Sequence, residues 1–176
     1  MEIRVRATGA VMFEGEWRRE IKQQAGIKLG QLDEATLNQY GADVVFEGPQ
    51  ASGGTVYQYS MRQGIEQKSD GKWYTKYVLG PIFIDRPATD TEPAMTAAQQ
   101  EAAYKAAKDA EQAKSVRADR DRKLAECDWV TLKAVDASND NLGIQLPQVW
   151  MTYRQALRDI TAQDGFPWNV VWPEKP

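Results

Sequence analysis

Asp119 and Asp121 in "RADRDRK", and Glu14 and Glu16 on either side of Gly15, are the closest this sequence comes to a paired-carboxylate acid and base. Such pairs work when the two carboxyl groups converge on one proton, one water or one metal ion. Asp119 and Asp121 lie two apart in a stretch that reads as helix, so they diverge. Glu14 and Glu16 sit beside Trp17, but nothing in the surrounding sequence marks a cleft. There is no histidine at all. That removes the commonest general base, the histidine-activated serine and cysteine nucleophiles, and the commonest transition-metal ligand. Cys127 is the single cysteine. It cannot form an intrachain disulfide, it fits a reducing compartment, and it reads as a small apolar residue at a helix end. The glycines of "QASGGT" lack the Gly-Lys-Ser/Thr sequel of a phosphate loop. The expectation is a protein that is not an enzyme, with no metal and no cofactor.

The aromatic residues carry the other chemistry, that of docking. The chain holds six Trp and seven Tyr. In "GFPWNVVWP", Trp168, Val170 and Trp172 share one face if the segment is extended, and Pro167 and Pro173 favour that path. Just before it, Trp150, Tyr153, Leu157 and Ile160 form one stripe of a predicted helix that Pro147 can open, with Arg154, Arg158 and Asp159 outside the stripe. Burying Phe166, Trp168 and Trp172 would gain on the order of 10 to 20 kcal/mol. Ordering about ten residues costs on the order of 15 kcal/mol. The helix and tail therefore need further surface, from the same chain or from a partner.

The elements that must hold these residues suggest an α+β fold. A small strand-rich N-terminal domain with short helices is expected over residues 1–85. Ile3 and Val5 alternate with Arg4 and Arg6, and Val11 and Phe13 repeat the pattern. Phe13, Trp17 and Ile21 then fall four apart as in a helix that Gly26 and Gly30 end. Asp33 is placed to cap a second short helix with Leu37 and Tyr40 inward, and Gly41 stands where a left-handed residue ends it. Val44–Phe46 follows as a strand. Tyr57–Ile65 and Trp73–Phe83 are two further strands around the Asp70-Gly71 turn. The faces made by Tyr57 with Tyr59, and by Trp73, Thr75 and Tyr77, read as cross-strand packing, with a stacking platform for bases or sugars as the alternative.

Residues 86–95, "RPATDTEPAM", read as a linker. Residues 96–127 lack Gly and Pro and are rich in Ala, Gln, Glu, Lys and Arg, so one long helix capped by Thr96 is predicted. A thin seam through Ala103, Ala106, Ala110, Ala113, Arg117, Arg120, Leu124 and Cys127 allows self-association through this helix, with a solvated helix of interleaved Glu, Asp, Lys and Arg as the equal alternative. "KAVDASNDNLG" reads as a polar loop, and residues 128–176 as a C-terminal helix with an extended aromatic tail.

The charge balance of 22 basic and 25 acidic residues, net −3, with no long basic run, excludes nucleic acid and anionic membrane as expected partners. "MEIRVRATG" has too much charge for a signal peptide, and no stretch has the roughly 18 to 20 apolar residues of a membrane span.

Asp128-Trp129, then Trp150, Tyr153, Arg154, Gln155, Leu157 and Arg158 on one helix, then "GFPWNVVWP", closely resemble the C-terminal module of bacteriophage tail assembly chaperone proteins, which are associated with tail fibres. An Ala/Lys/Glu-rich lead-in to "CDW" is usual there. The N-terminal part is similar to the same proteins in its short helix ending in "YG", its strand and its "DGKW" hairpin. This chain departs from them in placing "VTLKAVDASNDNLGIQL" where a shorter, proline-containing stretch is common. The resemblance implies a chaperone that binds a phage tail-fibre or tail protein in the host cytoplasm during assembly and can be retained in the virion tail. The alternative is a permanent component of the tail, baseplate or fibre network. The residues it singles out for partner binding are Trp129, Trp150, Tyr153, Arg154, Leu157, Phe166, Trp168 and Trp172.

Overall fold

The computed structural model describes residues 1–139 and 146–176. The fold is α+β, and the chain divides into two compact units, Met1–Ile82 and Phe83–Pro176.

In the first unit the period-two alternation around Ile3 makes β1, Glu2–Val5. It pairs antiparallel with β2, Val11–Phe13, on one side and with β3, Ala42–Phe46, on the other. β3 runs parallel to β5, Trp73–Gly80, and β4, Tyr59–Gln67, flanks β5 antiparallel. The order is β2-β1-β3-β5-β4. The register of β4 slips between Arg62 and Ile65, where Gly64 takes a left-handed φ of 76° that forms a bulge. Asp70-Gly71 makes the expected hairpin turn, with Gly71 donating to the Lys68 carbonyl at 2.9 Å.

One face of the sheet carries the core. Helix α1, Glu14–Ala25, lays Trp17 and Ile21 on Ile3 and Ala42. Phe13 does not join that stripe: it is the N-cap, its amide bound to the Glu16 carboxylate at 3.2 Å, and its ring is exposed. Gly26 ends the helix in the left-handed region. Helix α2, Glu34–Gln39, is capped as expected, Asp33 accepting from the Thr36 amide at 2.8 Å. Leu37 and Tyr40 pack on the core, Tyr40 edge-on to Trp17 at 6.3 Å.

The other face is polar. Arg62 reaches Glu2 with two hydrogen bonds of 2.7 and 2.6 Å, although β4 and β1 are not neighbours, so the sheet curls to bring them together. The Arg62 hydrogen bond holds the Glu2 carboxyl below its ordinary value. Arg4 lies between Asp43, 3.0 Å away, and the Trp73 ring, 4.0 Å from its centroid. Tyr77 donates to Glu47 at 2.6 Å.

The second unit is helical. Thr96 and Gln99 form a reciprocal cap for α3, Ala97–Ala125, which at about 1.5 Å per residue is roughly 43 Å long. Residues 84–95 are tied to its first turns: Asp85 accepts from the Ala97 amide at 2.7 Å, Gln100 donates to the Ile84 carbonyl at 2.6 Å, and Arg86 and Met95 exchange backbone hydrogen bonds. α4, Asp128–Asn139, follows almost at once. Lys133–Asn139 is therefore helical where a polar loop was expected, because Val130, buried against the unit, anchors a helix that runs on through poor helix formers. The rest of that expected loop, residues 140–143, lies outside the described residues. α5, Gln148–Arg158, is capped at Pro147 and passes into a 3-10 turn, Asp159–Ala162.

The inward stripe of α3 is not the predicted alanine seam. Ala103, Ala106, Ala110 and Arg117 are exposed, whereas Ala113, Val116 and Cys127 are buried and Tyr104, Arg120 and Leu124 partly so. Alanines offer little area, and the aromatic tail selects the stripe that suits its rings.

Candidate partner-binding surface

Three helices meet at Cys127. Its side chain is fully buried with Tyr153 and Leu157, and Leu124, Trp150 and Trp172 close round them. The 3.6-residue period of α5 turns Tyr153, Leu157 and then Ile160 inward, as the sequence predicts. Burial pushes the Tyr153 phenol up, with Cys127 and Glu126 adding to it.

Arg154 was expected outside this stripe and is instead drawn into it, with 11% of its side chain exposed. Its guanidinium donates to the Leu124 carbonyl at 3.2 Å, to Cys127 Sγ at 3.0 Å and to Asp128 at 2.8 Å. One side chain thus joins the end of α3, the turn to α4 and α5. Burial disfavours its charge, and the bonds to Asp128 and Cys127 more than offset that, so it is held protonated more firmly than an ordinary arginine. A lone arginine beside an apolar stripe gives no sequence signal for this. The carbonyls left over at the end of α3 were the clue available.

The tail follows a different path from the one expected. Residues 164–168 form turns, and from Val170 on the chain has no helix, strand or turn. Asn169 donates to the Gly165 carbonyl at 2.6 Å, and a Cβ at Gly165 would run into the Asn169 carbonyl, so the turn needs glycine there. Beyond it Gln163 grips the main chain of Val171 from both sides, its Nε2 on the carbonyl at 2.9 Å and its Oε1 on the amide at 2.7 Å.

The tail rings therefore separate instead of sharing one face. Trp172 enters the Tyr153 and Leu157 cluster, with Lys123 over its ring at 5.3 Å. Trp168 donates its indole N–H to Asp109 of α3 at 2.6 Å. Phe166 lies beneath the Arg117 guanidinium at 5.4 Å. α3 is the further surface that the sequence required for this tail.

Trp129 behaves differently. It meets Trp150 edge-on at 6.0 Å, and Trp150 meets Tyr153 likewise, yet 56% of Trp129 is exposed. Leu132 and Val135 on α4, and Val149 and Met151 flanking Trp150 on α5, are exposed too. Isolated exposed apolar residues are ordinary; Trp129, Leu132 and Val135 instead make a row at i, i+3 and i+6 on one short helix, beside the half-buried Trp150.

Among the described residues no group of three or more His, Cys, Asp or Glu side chains is placed to hold a metal ion, and no helix is long and apolar enough to cross a membrane.

This second unit is a helical scaffold whose C-terminal strap is fixed by aromatic residues. Residues 113–176, from the middle of α3 to the end of the chain, match the family model of the phage tail assembly chaperone protein. Every residue of the candidate surface lies within that match. No curated protein and no solved structure matches the chain significantly.

Proposed function

We propose that the protein escorts a phage tail-fibre or tail protein during assembly in the host cytoplasm, by protein-protein binding through its C-terminal unit and without catalysis or a cofactor. The observation that carries this reading is the exposed row of Trp129, Leu132 and Val135 beside Trp150, inside the stretch that matches the chaperone family. In this reading Trp129 and the edge of Trp150 touch the partner. Tyr153, Arg154, Leu157, Phe166, Trp168 and Trp172 hold that surface in shape. Exposed Trp side chains over a firm base are the residues that dominate binding energies at interfaces.

Pull-down of the purified fibre and tail proteins of the same phage by the full chain is the test. Binding to one of them, lost on Trp129→Ala with the helices intact, supports the reading; no binding to any of them sinks it. The second reading, a permanent part of the tail or fibre network, rests on the same surface and on the length of α3, which also offers room for self-association. Stoichiometric recovery of the protein in purified particles would favour it, and absence from them would favour an escort that leaves.

A further inference from the structure

Beside the Trp129 row, α5, with Thr131 of α4 and Leu146, borders an open groove of about 640 Å3, lined by Gln148, Met151, Thr152, Gln155 and Arg158 among others. Gln148, Thr152 and Gln155 recur at steps of four and three and so form one row along the helix. Their hydrogen bonding is half used. Gln148 Nε2 donates to Thr152 Oγ1 at a long 3.4 Å, and Gln155 Nε2 donates to both oxygens of Asp159 at 2.9 and 3.0 Å. Two amide carbonyl acceptors remain, with a hydroxyl donor between them. In the wall, Thr131 Oγ1 is closed from solvent without a hydrogen-bond partner.

Ligand chemistries can be sorted against this lining. A simple anion would face two amide acceptors, and a purely apolar ligand would strip the amides of water without replacing it. An extended main chain offers N–H and C=O groups in alternation along its edge. The same unit already holds a main chain in this manner, at Gln163 on Val171. Arg158 is a lining cation with no ion-pair partner among the described residues, which suits a carboxylate.

We infer that the groove seats an extended segment of the tail or fibre protein, with an acidic residue opposite Arg158; this rests on the function proposed above. Gln148 to Asp159 spans about 16 Å at ~1.5 Å per helical residue. An extended chain covers that in about five residues at ~3.3 Å each.

The test is the full chain carrying the photo-crosslinker p-benzoylphenylalanine in place of Ala156, another lining residue, irradiated with the purified fibre or tail protein of the same phage. Crosslinks should fall in one window of about five residues that contains Asp or Glu. The triple variant Gln148→Ala, Thr152→Val, Gln155→Ala should bind at least about thirty-fold more weakly with an unchanged melting curve, and Arg158→Glu at least about ten-fold more weakly. Crosslinks that scatter or fall on a second copy of this chain overturn the inference. So does a triple variant of undiminished affinity, and if Trp129→Ala still abolishes binding in that case, the chaperone reading survives alone. A wild-type chain that binds no tail or fibre protein overturns the chaperone reading itself.

Discussion

The two units fill their deepest positions differently, although Trp73 of the first is half-buried like Trp150 and Trp172 of the second. In the first, Trp17 is 1% exposed and forms the centre of a core of Ile3, Ile21 and Ala42. In the second, the deepest positions go to Cys127, Leu157 and Ile160, while Trp150 and Trp172 sit half in and Trp129 stands out. Aromatic rings in a core supply area that only folding can use. Rings on a rim supply area that folding leaves over. On the function proposed above, the rim rings of the second unit are area left for a partner.

The sharpest way to break this contrast is Trp17→Ala, which should cost the first unit about 3 to 5 kcal/mol by leaving a large cavity. The measurement is urea unfolding followed separately for each unit. Loss of partner binding with a folded second unit would show that the surface is shared between units. Next in size, Leu157→Ala removes a fully buried side chain and should destabilise the second unit by about 2 to 5 kcal/mol. Replacing Trp168 and Trp172 together by Ala should act in the same direction, since one holds Asp109 and the other fills the Cys127 cluster. Binding should fall in step with the melting temperature. A double variant that melts normally but does not bind would make the tail a contact residue set instead of a support.

Trp129→Ala should show the reverse pattern. With half of its surface already in water, its loss should change stability by less than about 1 kcal/mol, whereas partner binding should weaken by about 2 kcal/mol or more. Equal losses of stability and binding would place Trp129 with the core.

The sequence was most readable where one local chemistry fixes the backbone. Asp33 and Thr96 cap their helices, Gly26 and Gly41 take left-handed φ values of 68° and 61°, and Asp70-Gly71 turns a hairpin. The stripe of α5 was readable for a similar reason, because four large apolar residues at helical spacing leave one way to face inward. The path of the tail was not. Proline argues for extension, but Gly165 permits a close turn that proline spacing cannot announce. The inward face of α3 was also hidden: in an alanine-rich helix the apolar pattern is too weak to choose a face, and the choice falls to rings about sixty residues further along the chain. Arg154 was hidden because its partners are a backbone carbonyl, a thiol and the exposed Asp128 carboxylate, about thirty residues back along the chain, which no local spacing ties to it.

The smallest expected effect separates the units by pH. The Arg62 hydrogen bond lowers the Glu2 carboxyl from its ordinary value near 4.5. A carboxylate of lowered pKa binds its proton more weakly in the folded than in the unfolded state. Its contribution to stability is therefore present above about pH 4.5 and is lost as the pH falls through the lower folded value. Both side chains keep some contact with water, 39% for Arg62 and 19% for Glu2, so the pair should be worth no more than about 1 kcal/mol. Arg62→Gln should lower the stability of the first unit at pH 7 by that amount. Below about pH 4 the difference from wild type should shrink, because Glu2 is then becoming protonated in both proteins. The second unit, which contains neither residue, should unfold alike in variant and wild type at every pH. A variant whose deficit stays constant down to pH 3 would mean that Arg62 acts by packing along the curled sheet, and the polar face would then belong to the core architecture of the first unit after all.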